Sequence, residues 1–177
     1  MANHGLTGLL LVGGASSRFG SPKALARLHG RTLAEIGWEA LAFCDERIAI
    51  GKRDDLLELP FPILDDGIDV RAPIAGLVAG LRAATHEICV ALPVDTPRVT
   101  ADALRVLAAA CRDAAVPSTG PLPGAYRKTA LPVLERRLAD CSLALRDALG
   151  ELDVAVVGLE PDQLLNVNAP DDLRRIG

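Results

Sequence analysis

Residues 9–25 read LLLVGGASSRFGSPKAL and join a buried strand to a loop that carries two cations. The apolar run Leu9–Val12 shows no polar alternation, which is typical of a strand covered on both faces in a parallel sheet. Gly13 and Gly14 then let the backbone turn without a Cβ, so that successive amide N–H groups can face a phosphate. The stretch therefore predicts the first strand of an α/β protein, with an anion-binding turn at its carboxyl end.

Arg18 and Lys23 follow the glycine pair at short spacing. Arg18 offers a planar fork of donors to phosphate oxygens, and Lys23 offers a compact cation on the same loop. The loop lacks the Gly-Lys-Ser/Thr of a Walker motif and the third glycine of a dinucleotide-binding turn, which disfavours an NTPase or a Rossmann dehydrogenase. Two interpretations stay open: a polyphosphate cradle, or an ordinary glycine-rich turn with two solvated cations.

Strand-like and helix-like stretches alternate along the whole chain. This alternation predicts an α/β fold with a mostly parallel sheet and helices on both faces, and 177 residues fit one domain, 1–177. Thr100 and Ser142 are predicted helix caps. The segment 118–128, rich in glycine and proline, is predicted to be a mobile loop. Strands are predicted at 6–12, 47–50, 62–64, 87–92, 115–116 and 153–157, and helices at 33–43, 72–84, 100–112, 131–139, 143–149 and 171–175.

The composition argues against several classes of function. The net charge is −4, with 23 acidic residues and 19 scattered basic residues, which argues against a nucleic-acid-binding face. No apolar stretch approaches the ~20 residues that a membrane helix requires, and the amino terminus lacks a basic leader, so we expect a soluble, cytoplasmic protein. The 4 cysteines and 3 histidines show no ligand spacing. We expect buried, reduced cysteines and assign the histidines no role.

Aspartates follow two of the predicted strands. Asp95 comes just after the buried strand at 87–92, so we expect it at the carboxyl edge of the sheet, near the glycine turn. A carboxylate there could hold Mg²⁺, which commonly uses one or two protein carboxylates together with substrate phosphates; alternatively, Asp95 could cap the Thr-Pro turn. Asp65 and Asp66 could accept hydrogen bonds from a sugar hydroxyl or a base N–H, or could form an Asp-Asp-Gly turn.

Two further polar pairs are candidates for contacting a phosphate or a second substrate. Asn166 and Asn168 alternate along one extended stretch and could present their amides on the same side, or could bond only to their own backbone before the last helix. Arg127 and Lys128, on the predicted loop, could hold an anionic substrate, although an ordinary solvated pair is the favoured interpretation. The residues themselves leave both choices open.

Four motifs occur in an order that resembles one known family. Residues 10–25 are similar to L-A-G-G-x-S-x-R-M-G-x-D-K-A-L, residues 72–76 (APIAG) to G-P-L-A-G, residues 94–97 (VDTP) to C-D-x-P, and residues 166–170 (NVNAP) to N-x-N-T-P. Together they resemble the molybdenum-cofactor guanylyltransferases of the nucleotidyltransferase superfamily. The motifs span nearly the whole chain, and the ordered set is more specific than any one of them.

The resemblance implies a fold and an activity. The fold would be the three-layer α/β/α architecture of the nucleotide-diphospho-sugar transferases, with a mostly parallel, Rossmann-like sheet and the whole chain as one nucleotidyltransferase domain. The activity would be transfer of GMP from GTP to the phosphate of molybdopterin or Mo-molybdopterin, with Mg²⁺ as cofactor and release of pyrophosphate. Molybdoenzyme maturation proteins are then expected as partners.

The resemblance also implies roles for individual residues. Catalysis is carried over to Arg18, Lys23 and Asp95, with Asp95 as the Mg²⁺ ligand. Contacts to the bound nucleotide are carried over to a larger set: Leu11, Val12, Gly13, Gly14, Lys23, Asp66, Asp95, Asn166 and Asn168.

The chain departs from the family pattern inside these motifs and beside them. Pro22 stands where an Asp usually precedes the loop lysine, and Phe19 replaces the loop methionine. Residues 51–53 (Gly-Lys-Arg) replace an Asn-containing turn that helps recognise guanine, and Gly120 replaces a frequent His in the substrate loop. These departures leave two alternatives: a related cytidylyltransferase or sugar- or polyol-phosphate nucleotidyltransferase, and a non-catalytic nucleotide-binding or cofactor-carrier protein.

Overall fold

The computed structural model describes residues 5–13 and 22–176. No helix within these residues is long and apolar enough to span a membrane. The strands are β1 Leu6–Leu11, β2 Arg27–Leu28, β3 Arg31–Thr32, β4 Glu46–Gly51, β5 Ile63–Asp65, β6 Ile88–Pro93, β7 Ala114–Pro117, β8 Gly124–Arg127 and β9 Val154–Val157. The helices are α1 Leu33–Ala40, α2 Pro73–Ala83, α3 Ala101–Ala110, α4 Leu131–Ala139, α5 Leu145–Ala148 and α6 Pro170–Ile176.

Seven of these strands form one sheet in the order β5-β4-β1-β6-β8-β7-β9. Strand β1 pairs in parallel with β4 and β6, β4 with β5, and β7 with β9. Strand β8 runs antiparallel to both of its neighbours, β6 and β7. The mostly parallel α/β sheet predicted from the alternation of elements is therefore confirmed, and β2 and β3 form a separate small hairpin.

Helices cover both faces of the sheet because β1 is apolar on both sides. Leu10 and Val12 belong to a core that includes residues of α1 and α3, whereas Leu9 and Leu11 belong to a second core formed with α2, α4 and α5. Leu9 and Leu10 are fully buried. Successive residues of a strand point to opposite faces, so an unbroken apolar run needs cover on both. The three-layer arrangement expected from the resemblance is confirmed.

Helix α2 packs close to the sheet because it carries glycines where it crosses β1 and β4. A Cβ at Gly80 would lie 2.7 Å from Leu9 Cδ1 and 2.8 Å from Ile50 Cδ1, closer than real side chains approach. A Cβ at Gly76 would lie 3.2 Å from Leu11 Cδ2. The APIAG motif therefore has a packing role, and it brings the start of α2 to the carboxyl ends of the strands.

Two helix starts follow from local side-chain chemistry. Thr32 Oγ1 accepts a hydrogen bond from Glu35 N, and Glu35 Oε2 accepts one from Thr32 N, which makes a capping box at the start of α1. Thr100 Oγ1 accepts from Ala103 N at 3.2 Å, so the cap predicted for α3 is confirmed. These starts were readable because each cap contacts a residue only three positions away.

The predicted loop at 118–128 was wrong over its second half. Residues 124–127 form β8, which is inserted between β6 and β7. Tyr126 is fully buried, and its hydroxyl donates to Pro121 O at 2.6 Å. Gly124 is required by packing, because a Cβ there would lie 2.7 Å from Pro121 O. The segment is a strand inside the sheet, between the distant β6 and the nearby β7, and its glycine and the preceding prolines led to the prediction of a loop.

The predicted cap at Ser142 was also wrong. Ser142 N donates to Arg137 O at 2.8 Å, so Ser142 closes the end of α4, and α5 begins three residues later at Leu145. Cys141, between them, has a φ of 55° and is exposed, contrary to the expectation that every cysteine is buried. A residue just after a helix commonly takes this left-handed conformation. Cys44, Cys89 and Cys111 are buried as expected.

Candidate functional site

The carboxyl ends of β4, β1 and β6 meet at one pocket of about 300 Å³. The chain stays in register as it leaves these strands, because Val12 N donates to Ile50 O at 2.9 Å and Val94 N donates to Leu11 O at 3.2 Å. Ligands of open parallel sheets bind at this edge. The described residues that line the pocket are Leu11, Val12, Gly13, Lys23, Ile50, Gly51, Lys52, Asp66, Arg71, Ala72, Pro73, Gly76, Pro93, Val94, Asp95 and Leu122.

A lysine and an aspartate 72 residues apart meet at one end of the pocket. Lys23 Nζ lies 3.4 Å from Asp95 Oδ2 and donates to Asn168 Oδ1 at 3.1 Å. The Lys23 side chain is 18% exposed and the Asp95 side chain 28% exposed, so both stay accessible from the pocket. We call Lys23 and Asp95 the open pair, and Asn168 is the amide beside it.

Backbone contacts hold the three residues of this group in place. Lys23 begins a 3-10 turn whose next residue, Ala24, is fully buried. Val167 is also buried, and its N–H donates to Asp95 O at 2.7 Å, which ties the carboxyl-terminal segment to the end of β6. Asp172 Oδ2 accepts from Asn168 N at 2.8 Å, and this backbone hydrogen bond lowers the pKa of the Asp172 carboxyl. The polar group is therefore preorganised by its main chain.

A second lysine and aspartate meet at the other end of the pocket, beside β4 and β5. Lys52 Nζ donates to Asp66 Oδ1 at 2.7 Å, to Val70 O at 2.8 Å and to Ile68 O. The Lys52 side chain is 12% exposed and the Asp66 side chain 6% exposed. We call Lys52 and Asp66 the closed pair, because all three N–H groups of the ammonium have acceptors.

Arg71 lines the pocket next to the closed pair, just before α2. Its Nη1 donates to Asp55 Oδ1 at 2.7 Å, and this hydrogen bond raises the pKa of the Arg71 guanidinium. The guanidinium has five donors in all, so donors beyond this one pair are available to a ligand. Arg71 therefore adds a second positive charge at this end of the pocket.

Gly13 lies between the two lysine–aspartate pairs. A Cβ at this position would make only ordinary contacts within the protein, the nearest being 3.6 Å from Gly51 Cα. The packing of the described residues therefore does not require glycine at position 13. A glycine at the carboxyl end of a strand is, however, what a close approach of a ligand to the backbone requires.

Comparison with protein families assigns most of the chain. Residues 8–156 match the model of the MobA-like NTP transferase domain. The chain belongs to this family. The nucleotidyltransferase resemblance predicted from the four motifs is thereby confirmed.

Curated relatives and a solved structure agree with this family membership. The chain is 37% identical to a probable molybdenum cofactor guanylyltransferase from Deinococcus radiodurans, over 97% of this chain and 93% of the relative. It is 33% identical to a probable molybdenum cofactor guanylyltransferase from Bacillus subtilis, over 93% and 90%. Its fold matches molybdopterin-guanine dinucleotide biosynthesis protein A from Archaeoglobus fulgidus with a TM-score of 0.82 and 26% identity, covering 96% of each chain.

The residues predicted for a MobA-like site fall into three groups in the structure. Leu11, Val12, Gly13, Lys23, Asp66 and Asp95 all line the one pocket, and Asn168 contacts it through Lys23. Gly14 and Arg18 lie outside the described residues. Asn166 is exposed and is not among the described residues that line the pocket.

Arg127 and Lys128 do not hold a substrate at the pocket, since neither is among its lining residues. Arg127 pairs with Ile88 at the start of β6, so it lies at the edge of the sheet opposite the pocket. Its Nε donates to Arg112 O at 3.0 Å, and Lys128 Nζ donates to Ala84 O at 2.6 Å. Each cation donates to a main-chain carbonyl away from the pocket, so neither is placed to hold a substrate there.

Lys52 and Arg71 line the pocket but were not among the predicted site residues. Lys52 comes directly after β4, whose carboxyl end faces the pocket. Arg71 precedes Ala72 and Pro73 of the APIAG motif, where α2 begins beside the pocket. A cation at the carboxyl end of a parallel strand, or beside a helix start, was the signal that could have identified them.

The donor set around Asp95 fits a Mg²⁺ ion held together with substrate phosphates. Within the described chain, no three His, Cys, Asp or Glu side chains cluster as a ready-made metal site. Asp95 Oδ2 contacts Lys23, while Oδ1 accepts no hydrogen bond from a described residue and the side chain reaches the pocket. Mg²⁺ commonly uses one or two protein carboxylates and completes its octahedron with water and phosphate oxygens. One partly exposed carboxylate is enough for that chemistry.

The described residues of the pocket include no cysteine or histidine that could act as a nucleophile. Burial raises the pKa of Cys44 and Cys89 to about 12 and that of Cys111 to about 11, so these thiols stay protonated at neutral pH. What the pocket offers is positive charge, one open carboxylate and a glycine turn. Such a set binds and aligns phosphates rather than forming a covalent intermediate.

Proposed function

We propose that this protein is a Mg²⁺-dependent molybdenum cofactor guanylyltransferase. It would transfer GMP from GTP to the phosphate of molybdopterin or Mo-molybdopterin and release pyrophosphate. The observation that carries the proposal is the meeting of Lys23 and Asp95 at the carboxyl end of β1, beside Gly13. The family membership and the printed names of the relatives support the choice of substrates.

The nucleotide would lie across the pocket between the two lysine–aspartate pairs. Its phosphates would lie over Gly13 at the end with Lys23 and Asp95, and Gly14 and Arg18 of the same sequence motif would complete the cradle. Its base and sugar would lie towards Asp66, whose carboxylate accepts N–H or O–H donors. This orientation places the polyphosphate beside the open pair, where neither charge is fully occupied by the other.

The reaction needs positioning and charge neutralisation more than acid–base chemistry. A terminal phosphate has a second pKa of about 6, so the acceptor phosphate is already an anion at neutral pH and needs no general base. Its oxygen forms a bond to the α-phosphorus, the α–β anhydride bond breaks, and the bonding electrons leave with pyrophosphate. Lys23 offsets charge that develops on the phosphate oxygens, and Asn168 and Asp95 hold its ammonium in place.

Mg²⁺ would be held by Asp95 and, when bound, would neutralise negative charge on the substrate phosphates. Asp95 can take this role because only its Oδ2 contacts Lys23. One accessible carboxylate is the protein group that would hold the metal.

The test is pyrophosphate release from GTP and molybdopterin by the purified protein. We expect release with Mg²⁺, loss of release with a chelator, and strong loss in Asp95→Ala and Lys23→Ala. Asp102→Ala is the matched control, because Asp102 is 91% exposed on α3 and, among the described residues, pairs with Arg105 alone. Full activity in both site variants would contradict the assigned roles, and no release by the wild type would contradict the reaction.

A cytidylyltransferase is the second candidate, because Lys52 stands at the base end where the family pattern has an Asn-containing turn. Thermal stabilisation by GTP and by CTP, each with Mg²⁺, separates the two, since a ligand that binds the folded state raises its stability by mass action. A non-catalytic nucleotide-binding protein would be stabilised by an NTP yet release no pyrophosphate with any acceptor.

The proposal includes the organisation and setting of the protein. One domain over residues 1–177 is supported by a sheet whose strands come from residue 6 to residue 157, with α6 packed against one of its two cores. A cytoplasmic location and transfer of the product to molybdoenzyme maturation proteins are expected from the sequence and stay predictions.

A further inference from the structure

Lys52 is the pocket residue whose role the reaction above leaves open. It reaches the base end of the pocket, and a lysine there has two possible uses: it can bind the nucleotide directly, or it can hold a residue that does. The two uses differ in how many of the three ammonium donors the protein itself consumes. The hydrogen bonds around Lys52 decide between them.

The protein consumes all three donors of Lys52. They go to Asp66 Oδ1, Ile68 O and Val70 O. The ammonium therefore fastens the carboxyl end of β4 to the turn that follows β5. Asp66 N also donates to Gly51 O at 3.1 Å, so the same turn is tied to β4 through the main chain. Any contact of Lys52 with a nucleotide would break one of these bonds in a place where the side chain is largely buried.

The same bonds leave Asp66 with one usable oxygen. Asp66 Oδ1 accepts from Lys52 Nζ and from Ile68 N at 3.0 Å, which fills both of its lone pairs. Asp66 Oδ2 accepts no hydrogen bond from a described residue, and Asp66 lines the pocket. The carboxylate is therefore fixed from behind and has its second oxygen available for a donor group.

We propose that Lys52 is a positioning residue of the nucleotide site, which fixes Asp66 and the 66–70 turn so that Asp66 takes the nucleotide through Oδ2. Lys52 itself does not touch the nucleotide. This inference rests on the proposed function for the identity of the ligand, but it concerns binding alone.

A double-mutant cycle tests whether Lys52 acts through Asp66. The variants are Lys52→Met, Asp66→Asn and both together, with the affinity for GTP and Mg²⁺ measured by calorimetry. We expect Lys52→Met to weaken binding about tenfold, the order typical of residues that hold a ligand group from behind. In the Asp66→Asn background the same change should cost less than about twofold, because the route through the carboxylate is already lost.

Kinetics provide a second measurement on the same variants. Lys52→Met should raise KM for GTP and leave kcat within about twofold, because Lys52 lies away from the reacting phosphates. Arg53→Met is the matched control: the neighbouring cation is 83% exposed, is not one of the described residues that line the pocket, and pairs with Asp65 alone within the described chain. It should leave both constants unchanged.

Labelling of the wild type keeps the inference testable if Lys52→Met does not fold. An amine-acylating reagent with mass-spectrometric readout should leave Lys52 unmodified with and without GTP, whereas GTP should protect Lys23. A reactive Lys52 that GTP protects would overturn the inference, as would a tenfold effect of Lys52→Met in both backgrounds or no effect in either. A wild type that binds GTP but releases no pyrophosphate would overturn only the proposed function.

Discussion

The pocket holds two lysine–aspartate pairs that share residue types but differ in construction. Lys52 and Asp66 lie 2.7 Å apart with side chains 12% and 6% exposed, and every donor of the ammonium is satisfied by the protein. Lys23 and Asp95 lie 3.4 Å apart and are more exposed. A saturated buried pair resists change, whereas a loose accessible pair can exchange its partner for a ligand. The difference indicates that Lys52 holds the structure of the site, whereas Lys23 is available to contact a ligand.

The largest effect on activity is expected at Asp95, the aspartate of the open pair. Asp95→Asn keeps the size of the side chain but removes its charge, and we expect kcat/KM for pyrophosphate release to fall by roughly a thousandfold, since a lost metal ligand removes several kcal/mol of transition-state stabilisation. The assay is pyrophosphate release at saturating Mg²⁺, with circular dichroism to verify the fold. An Asp95→Asn enzyme within tenfold of wild type would remove the functional distinction between the pairs.

The closed pair should dominate stability. Lys52→Met leaves Asp66 buried without its partner, and we expect the free energy of unfolding to fall by about 3 kcal/mol, the range found when one member of a buried pair is removed. Urea titration followed by the fluorescence of Trp38 measures this, since Trp38 is the protein's one tryptophan and stacks on Phe61 with ring centroids 4.1 Å apart.

A change in unfolding free energy below about 1 kcal/mol for Lys52→Met would mean that the closed pair is no stronger than a surface pair. Arg53→Met is again the control, because its ion pair with Asp65 is exposed and should contribute little.

Lys23, the lysine of the open pair, should affect activity more than stability. Lys23→Met is expected to lower kcat/KM roughly a hundredfold, since a preorganised donor at developing charge is lost. Its free energy of unfolding should change by less than about 1 kcal/mol, because the pair is partly exposed and not saturated. The same two assays measure both numbers. Equal losses of stability in Lys23→Met and Lys52→Met would contradict the predicted difference between the open pair and the closed pair.

The smallest effect is expected at the amide beside the open pair. Asn168→Ala removes one of the two described acceptors that orient the Lys23 ammonium. We expect kcat/KM to fall about fivefold, as for loss of a single hydrogen bond of about 1 kcal/mol. Steady-state kinetics measure this. Asn166→Ala is the matched control, because within the described residues the Lys23 ammonium donates to Asn168 and not to Asn166, although both asparagines are exposed. A larger loss in Asn166→Ala would show that the two asparagines have been assigned the wrong way round.

Much of the site could be predicted because a parallel sheet converts sequence order into position. An apolar run followed by Gly13, and a second apolar run followed by Asp95, place both residues at the same edge of the sheet. The helix cap at Thr100 was predicted, and the cap at Thr32, which was not predicted, rests on the same kind of contact three residues away. These features depend on local pattern or on strand direction, which periodicity carries.

What could not be predicted depends on hydrogen-bond partners that the sequence does not mark: neighbouring strands for β8, and the last turn of α4 for Ser142. β8 was read as a loop because its four residues form a strand only between β6 and β7. Cys141 and Ser142 were misassigned because the backbone N–H of Ser142 donates to Arg137 O at the end of α4. In each case a local signal was outweighed by a hydrogen bond whose acceptor the sequence does not mark.

The sequence by itself determined the fold class, the family and the edge of the sheet at which the pocket lies, because strand periodicity and glycine turns are local properties and the order of the motifs is visible along the chain. Only the tertiary structure decided that Lys52 is bound to Asp66, that Val167 fastens Asn168 beside Asp95, and that Arg127 lies at the opposite edge. The physical reason is that a charged side chain takes its role from the partner that satisfies it. That partner is chosen by the packing of elements far apart in the chain.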